Sequence, residues 1–98
     1  MIQRFYFVKL LDSEVAGRAE LAALLRAQLL EAGADAVVGL PADASAARWD
    51  LSIVVTTASL AAWSSLSVRP DLIALLASLG LRAAVVKSWT FDTLPPAE

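Results

Sequence analysis

Residues 2–11 read Ile2-Gln3-Arg4-Phe5-Tyr6-Phe7-Val8-Lys9-Leu10-Leu11, and this stretch decides the fold. Aromatic and β-branched side chains favour a strand. Strand side chains alternate between two faces. Ile2, Tyr6, Val8 and Leu10 therefore share one face, and Phe5, Phe7 and Leu11 share the other. Both faces are largely apolar, so this strand needs cover on two sides.

Working outward, Asp12 and Ser13 offer N-caps for a helix. From Gly17 to Ala32, the residues Leu21, Leu24, Leu25, Gln28, Leu29 and Ala32 fall at helical spacing. Gly33 stands where a C′ glycine ends a helix. A short strand is expected at Asp35–Leu40, then a loop of small and turn-forming residues from Pro41 to Ala47. Arg48–Thr57 is the clearest strand. It places Trp49, Leu51, Ile53 and Val55 on one face and Asp50, Ser52, Val54 and Thr56 on the other. Thr57 or Ser59 caps a short helix through Leu60, Trp63 and Leu66. Arg69-Pro70 breaks this helical region, because a residue before proline avoids the α conformation. Pro70 suits the first turn of a new helix, with Asp71 near its positive end. That helix carries Leu72, Ile73, Leu75, Leu76 and Leu79 and is expected to end at Gly80. The last strand runs from about Arg82 to Asp92 with Val85, Val86, Trp89 and Phe91. Residues 1–94 are read as one domain and 95–98 as a mobile tail.

The order β-α-β-β-α-β is the ferredoxin-like arrangement, an α+β fold, with its second helical region broken at Pro70. It predicts a four-stranded antiparallel sheet with both helical regions on one face. The other face is then bare. Phe5, Phe7, Val85, Trp89 and Phe91 are too much apolar surface to leave in water. A second copy is the simplest source of cover. The expectation is a homodimeric α/β barrel with sheets face to face, its interface formed by Phe5, Phe7, Val85, Lys87, Trp89 and Phe91.

Composition narrows the chemistry. The chain has 98 residues, a net charge of −2, 58% hydrophobic residues and only 18% charged ones. A chain this size buries roughly 60–70% of its unfolded surface, enough for one core. It contains no Cys, no His and no Asn. Disulfides, thiolate nucleophiles, zinc–thiolate sites and Ser–His–Asp triads are therefore excluded. No metal site and no cofactor are expected. The acidic balance argues against a nucleic-acid partner. Leu51–Val68 carries no charge and is nearly long enough to span a membrane, but its β-branched first part and Ser/Ala-rich second part fit strand, turn and helix better. The N-terminal apolar run stops at Lys9, too short for a signal peptide. No membrane partner is expected, and the default location is cytoplasmic.

In order and spacing, four segments resemble the stress-responsive A/B barrel (Dabb) family of the dimeric α/β-barrel superfamily. They are Ile2 to Asp12, Trp49 to Val55, Ser59 to Pro70, and Val85 to Asp92. The resemblance implies a homodimer and a small-molecule pocket between sheet and helices in each subunit. Candidate lining residues are Arg4, Tyr6, Arg26, Leu51, Ile53 and Leu66. Relatives in that family include a polyketide cyclase that uses histidines and a tyrosine. Here the strand histidine corresponds approximately to Leu51 and the helical tyrosine to Leu66, while the His-Pro-x-His element reads Arg69-Pro70-Asp71-Leu72. No catalytic residue is inherited through this resemblance.

Several residues carry two readings. Arg4 and Tyr6 share a strand face, so Tyr6 could donate a hydrogen bond while Arg4 or Arg26 holds an anion. The commoner role is for such arginines to snorkel to solvent and for the tyrosine to pack in the core. Trp49, Trp63 and Trp89 are ligand walls or, more commonly, core and interface anchors. Lys9 and Lys87 are buried bases or, more commonly, edge charges paired with Asp12 or Asp92. Three functions follow: a non-catalytic or accessory binder of a small apolar or aromatic metabolite, a cofactor-independent cyclase or isomerase using Tyr6 with Arg4 or Lys87, and a purely structural dimer module.

Overall fold

A computed structural model describes residues 1–94, so the tail expected at 95–98 lies outside the described residues. The chain runs β1 (Ile2–Leu10), a 3-10 helix (Asp12–Gly17), α1 (Arg18–Glu31) and β2 (Asp35–Gly39). A 3-10 turn (Ala44–Ala46), β3 (Leu51–Thr57), α2 (Leu60–Ser67), α3 (Pro70–Arg82) and β4 (Ala83–Asp92) complete it. The four strands form one antiparallel sheet in the order β2-β3-β1-β4. This is the ferredoxin-like arrangement expected from the sequence.

β1 lies inside the sheet, paired on both edges, with one apolar face against the helices and the other bare. Its register sets Tyr6 between Ile53 and Ser88, and Phe5 between Val54 and Trp89. On one face Tyr6, Val8 and Leu10 join Leu51, Ile53 and Val55 from β3. Leu21, Leu25 and Leu29 of α1 and Leu72 and Leu79 of α3 close over them. Both helical regions thus cover the same face. Each of these side chains contributes about 1.5–3 kcal/mol when fully buried.

The helix boundaries follow local chemistry. Gly33 has φ +77°, the left-handed conformation that stops α1. Ser59 caps α2 by accepting from the Ala62 N–H at 3.1 Å. Arg69 is extended and Pro70 takes the first turn of α3, as the dipeptide requires. α2 and α3 together are long and apolar, but they bend by 72° at this break. No single helix among the described residues is long and apolar enough to cross a membrane.

Some expectations are corrected. Asp12 and Ser13 do not cap α1; they lie inside the 3-10 helix, and Gly17 precedes α1 without a side-chain cap. The buried stripe of α1 is narrower than its sequence pattern, because Leu24 and Gln28 face solvent while Ala22 is buried. α3 runs through Gly80 to Arg82. Its last turn is held by the Leu11 N–H donating to the Arg82 carbonyl at 3.0 Å and by Arg82 paired with Glu14 at 2.8 Å. β3 begins at Leu51 rather than Arg48. The turn before it, closed by the Trp49 N–H on the Ala46 carbonyl, sends Trp49 to the opposite face from Leu51.

Asp50 fastens that entry. It is 7% exposed, accepts from the Leu10 N–H at 2.8 Å and from Arg18 at 3.2 Å, and its own N–H donates to the Val8 carbonyl. A buried carboxylate is tolerated when charge-assisted hydrogen bonds satisfy it.

Candidate functional site

On the helix side of the sheet, Arg4 reaches across β1 to β4. Its two terminal nitrogens donate to the Thr90 hydroxyl at 2.8 Å and the Ser88 hydroxyl at 2.9 Å. The guanidinium carbon lies 5.3 Å from the Tyr6 ring centroid and 5.7 Å from that of Trp63. Cation–π attraction therefore positions it on two sides. Its Nε is buried and has no acceptor among the described residues.

Of the other proposed pocket residues, Tyr6 meets Arg4, and Arg26, Leu51, Ile53 and Leu66 lie elsewhere. Leu51 and Ile53 are fully buried in the core, and Leu66 packs half-buried against it. Tyr6 packs in the same core and makes no side-chain hydrogen bond to the described residues. Arg26 is exposed and lines a groove with Ala19, Ala22, Ala23, Val38 and Leu40, on the β2 side of the molecule. Lys87 pairs with Phe7 and so lies on the opposite sheet face from Tyr6 and Arg4. Tyr6 and Lys87 therefore cannot meet at one reacting atom. Arg4 meets the ring face of Tyr6, which leaves the general-acid pairing without geometric support.

The other sheet face gathers the remaining large side chains. Phe5, Phe7, Val85, Lys87, Trp89 and Phe91 all lie there by register. Phe5 meets Phe91 at 5.7 Å and Phe7 meets Trp89 at 5.7 Å, both edge to face, and Phe7 meets Trp49 at 5.9 Å in a tilted arrangement. No helix covers them, and Trp89 is 45% and Phe91 57% exposed. A shallow depression of about 490 Å³ lies over Gln3, Phe5, Phe7, Trp89 and Phe91. A larger groove of about 810 Å³ lies toward the end of β1, lined by Lys9, Arg48, Trp49, Val85, Lys87, Ser88 and Trp89.

Lys9 and Lys87 do not pair with Asp12 or Asp92. Asp92 accepts from the N-terminal ammonium at 3.3 Å, on the face that carries Ile2. Sequence reading misses Arg48, Ser88 and Thr90, and it sets Trp49 on the wrong strand face. Alternation of β1 against β4 holds the signal for the two hydroxyls, since Arg4 faces Thr90 in the register.

The sequence matches no family model, and no curated protein resembles it significantly. Solved structures do resemble it. A dimeric ferredoxin-like protein of unknown function from Thermobifida fusca superposes with a TM-score of 0.76 at 15% identity, over 94% of this chain and 90% of its own. A protein from Arabidopsis thaliana gives 0.81 at 10% identity over the whole of both chains. A Deinococcus radiodurans protein provisionally assigned as an antibiotic biosynthesis monooxygenase gives 0.74 at 15%, over 100% of this chain and 97% of its own. At such identities the likeness establishes the ferredoxin-like fold and leaves function to the side chains described above.

Proposed function

We propose that this chain works as a homodimer of the α/β-barrel type, joined through the bare faces of two sheets, in a non-catalytic or accessory role. One observation carries this reading: a contiguous set of rings, Phe5, Phe7, Trp89 and Phe91, stands uncovered on a sheet whose other face is packed. Aromatic side chains dominate stable interfaces, and a standard one needs about 800 Å² from each partner. The resemblance to the stress-responsive A/B barrel family and to solved dimeric ferredoxin-like proteins supports the same assembly. Light scattering on the purified chain should give twice its 10.4 kDa mass. A monomer at micromolar concentration overturns the reading.

A second reading, a binder of a small metabolite between sheet and helices, is favoured by Arg4 alone. Its buried Nε lacks an acceptor, and such groups are normally satisfied by water or an ion. Tyr6 and Trp63 would supply the apolar walls. Native mass spectrometry of the purified protein tests it: a retained small anion lost in Arg4→Gln supports it, and a ligand-free wild type opposes it.

A further inference from the structure

The bare face holds charges that an apolar interface does not need. Arg18, Arg69 and Arg82 pair with Asp50, Asp71 and Glu14, and Arg4 is held by two hydroxyls. Lys9, Arg48 and Lys87 have no such partner among the described residues, and all three are exposed. In the register Lys9 lies against Val85 and Lys87 against Phe7, so both lysines share this face with the rings. Arg48 borders the same groove as the two lysines, and no carboxylate lines it. Among the strand residues of this face the only carboxylate is Asp35, on the outer strand β2, whose partner Thr56 lies at the far end of the sheet. The face is cationic although the chain has a net charge of −2.

A two-fold interface presents the same patch from both subunits. Both faces then carry the same sign of charge, whichever way the sheets are turned. The rings favour association and the cations oppose it. Salt sets the reach of that opposition. The Debye length is about 30 Å at 0.01 M and falls to about 3 Å at 1 M. The nine residues of β1, at about 3.4 Å each, span about 30 Å. In dilute salt every cation of one face therefore acts on those of the other, and in strong salt only those in close contact do. We propose that ionic strength sets the monomer–dimer equilibrium of this chain through the mutual repulsion of Lys9, Arg48 and Lys87 on the two faces. The inference rests on the homodimer reading and adds what controls that assembly.

Sedimentation velocity of the full chain over a dilution series gives the dimer Kd at about 0.01 M and at about 0.5 M sodium chloride. The wild-type dimer is expected to be about tenfold weaker at the lower salt. The double variant Lys9→Gln with Lys87→Gln should tighten the dimer about fivefold at low salt and leave it unchanged at high salt. Arg26→Gln, in the groove between α1 and β2, should keep the wild-type Kd and its salt response. A wild-type Kd that does not move with salt overturns the proposal. So does a double variant tightened equally at both salts, because that is relief of lysine burial and not of repulsion. In both cases the homodimer stands. A chain that stays monomeric at micromolar concentration in strong salt, wild type and variant alike, removes the homodimer reading and this inference with it.

Discussion

Asp50 shows how one side chain can set a strand. Its carboxylate accepts from the Leu10 N–H while its own N–H donates to the Val8 carbonyl, so β3 enters beside β1 in a fixed register. Asp50→Ala should cost about 1–3 kcal/mol, because a buried backbone donor loses its acceptor. Asp50→Asn keeps an acceptor oxygen and should cost less, as urea unfolding of both variants would show. Asp43 acts locally. The Ser45 hydroxyl and backbone N–H both donate to it, and they hold its carboxyl below the ordinary value of 3.8. A depressed folded pKa means that this contribution is complete above the ordinary value and is lost as pH falls through the lower folded one. An NMR titration should find Asp43 titrating low, and Ser45→Ala should move it back upward.

At the scale of elements, the α1 to α3 connection is fixed by Gly33 and Arg69. Gly33→Ala forces a side chain into the left-handed conformation, at about 1–2 kcal/mol, although the nearest side-chain atom is 3.7 Å away. The cost is backbone strain without a clash, so thermal unfolding should show a lowered Tm with unchanged helicity. Arg69 donates to the Ala32 carbonyl at the end of α1 and pairs with Asp71 at 2.8 Å at the start of α3. A cation near a helix C-terminus is favourable. Element types and order were legible because apolar spacing and the Gly33 and Pro70 signals are local. Ends were less legible. The C-terminus of α3 is decided by Arg82 reaching Glu14, which is far away in sequence.

At the scale of the molecule, the sheet separates two apolar populations. Val8, Leu10, Leu51, Ile53 and Val55 are buried against helices, while Phe5, Phe7, Trp89 and Phe91 are not. Under the homodimer proposal, Trp89→Glu places a charge amid these rings and should give a monomer by light scattering. Its far-UV circular dichroism should match the parent, since Trp89 supports no helix. A parent-like dimer in that variant would locate the interface elsewhere.

The sequence by itself determined the strand and helix order, because hydrophobic periodicity is a property of neighbours along the chain. It also determined that Phe5 and Phe7 share one face of β1, and Val85, Trp89 and Phe91 one face of β4, since alternation within a strand is rigid. Only the tertiary structure decided what each candidate polar residue meets. It turned Trp49 onto the bare face beside Phe7 and sent Arg26 away from Arg4. It also gathered Lys9, Arg48 and Lys87 around one groove. These meetings depend on register between strands and on an irregular turn before β3, and neither follows from local spacing.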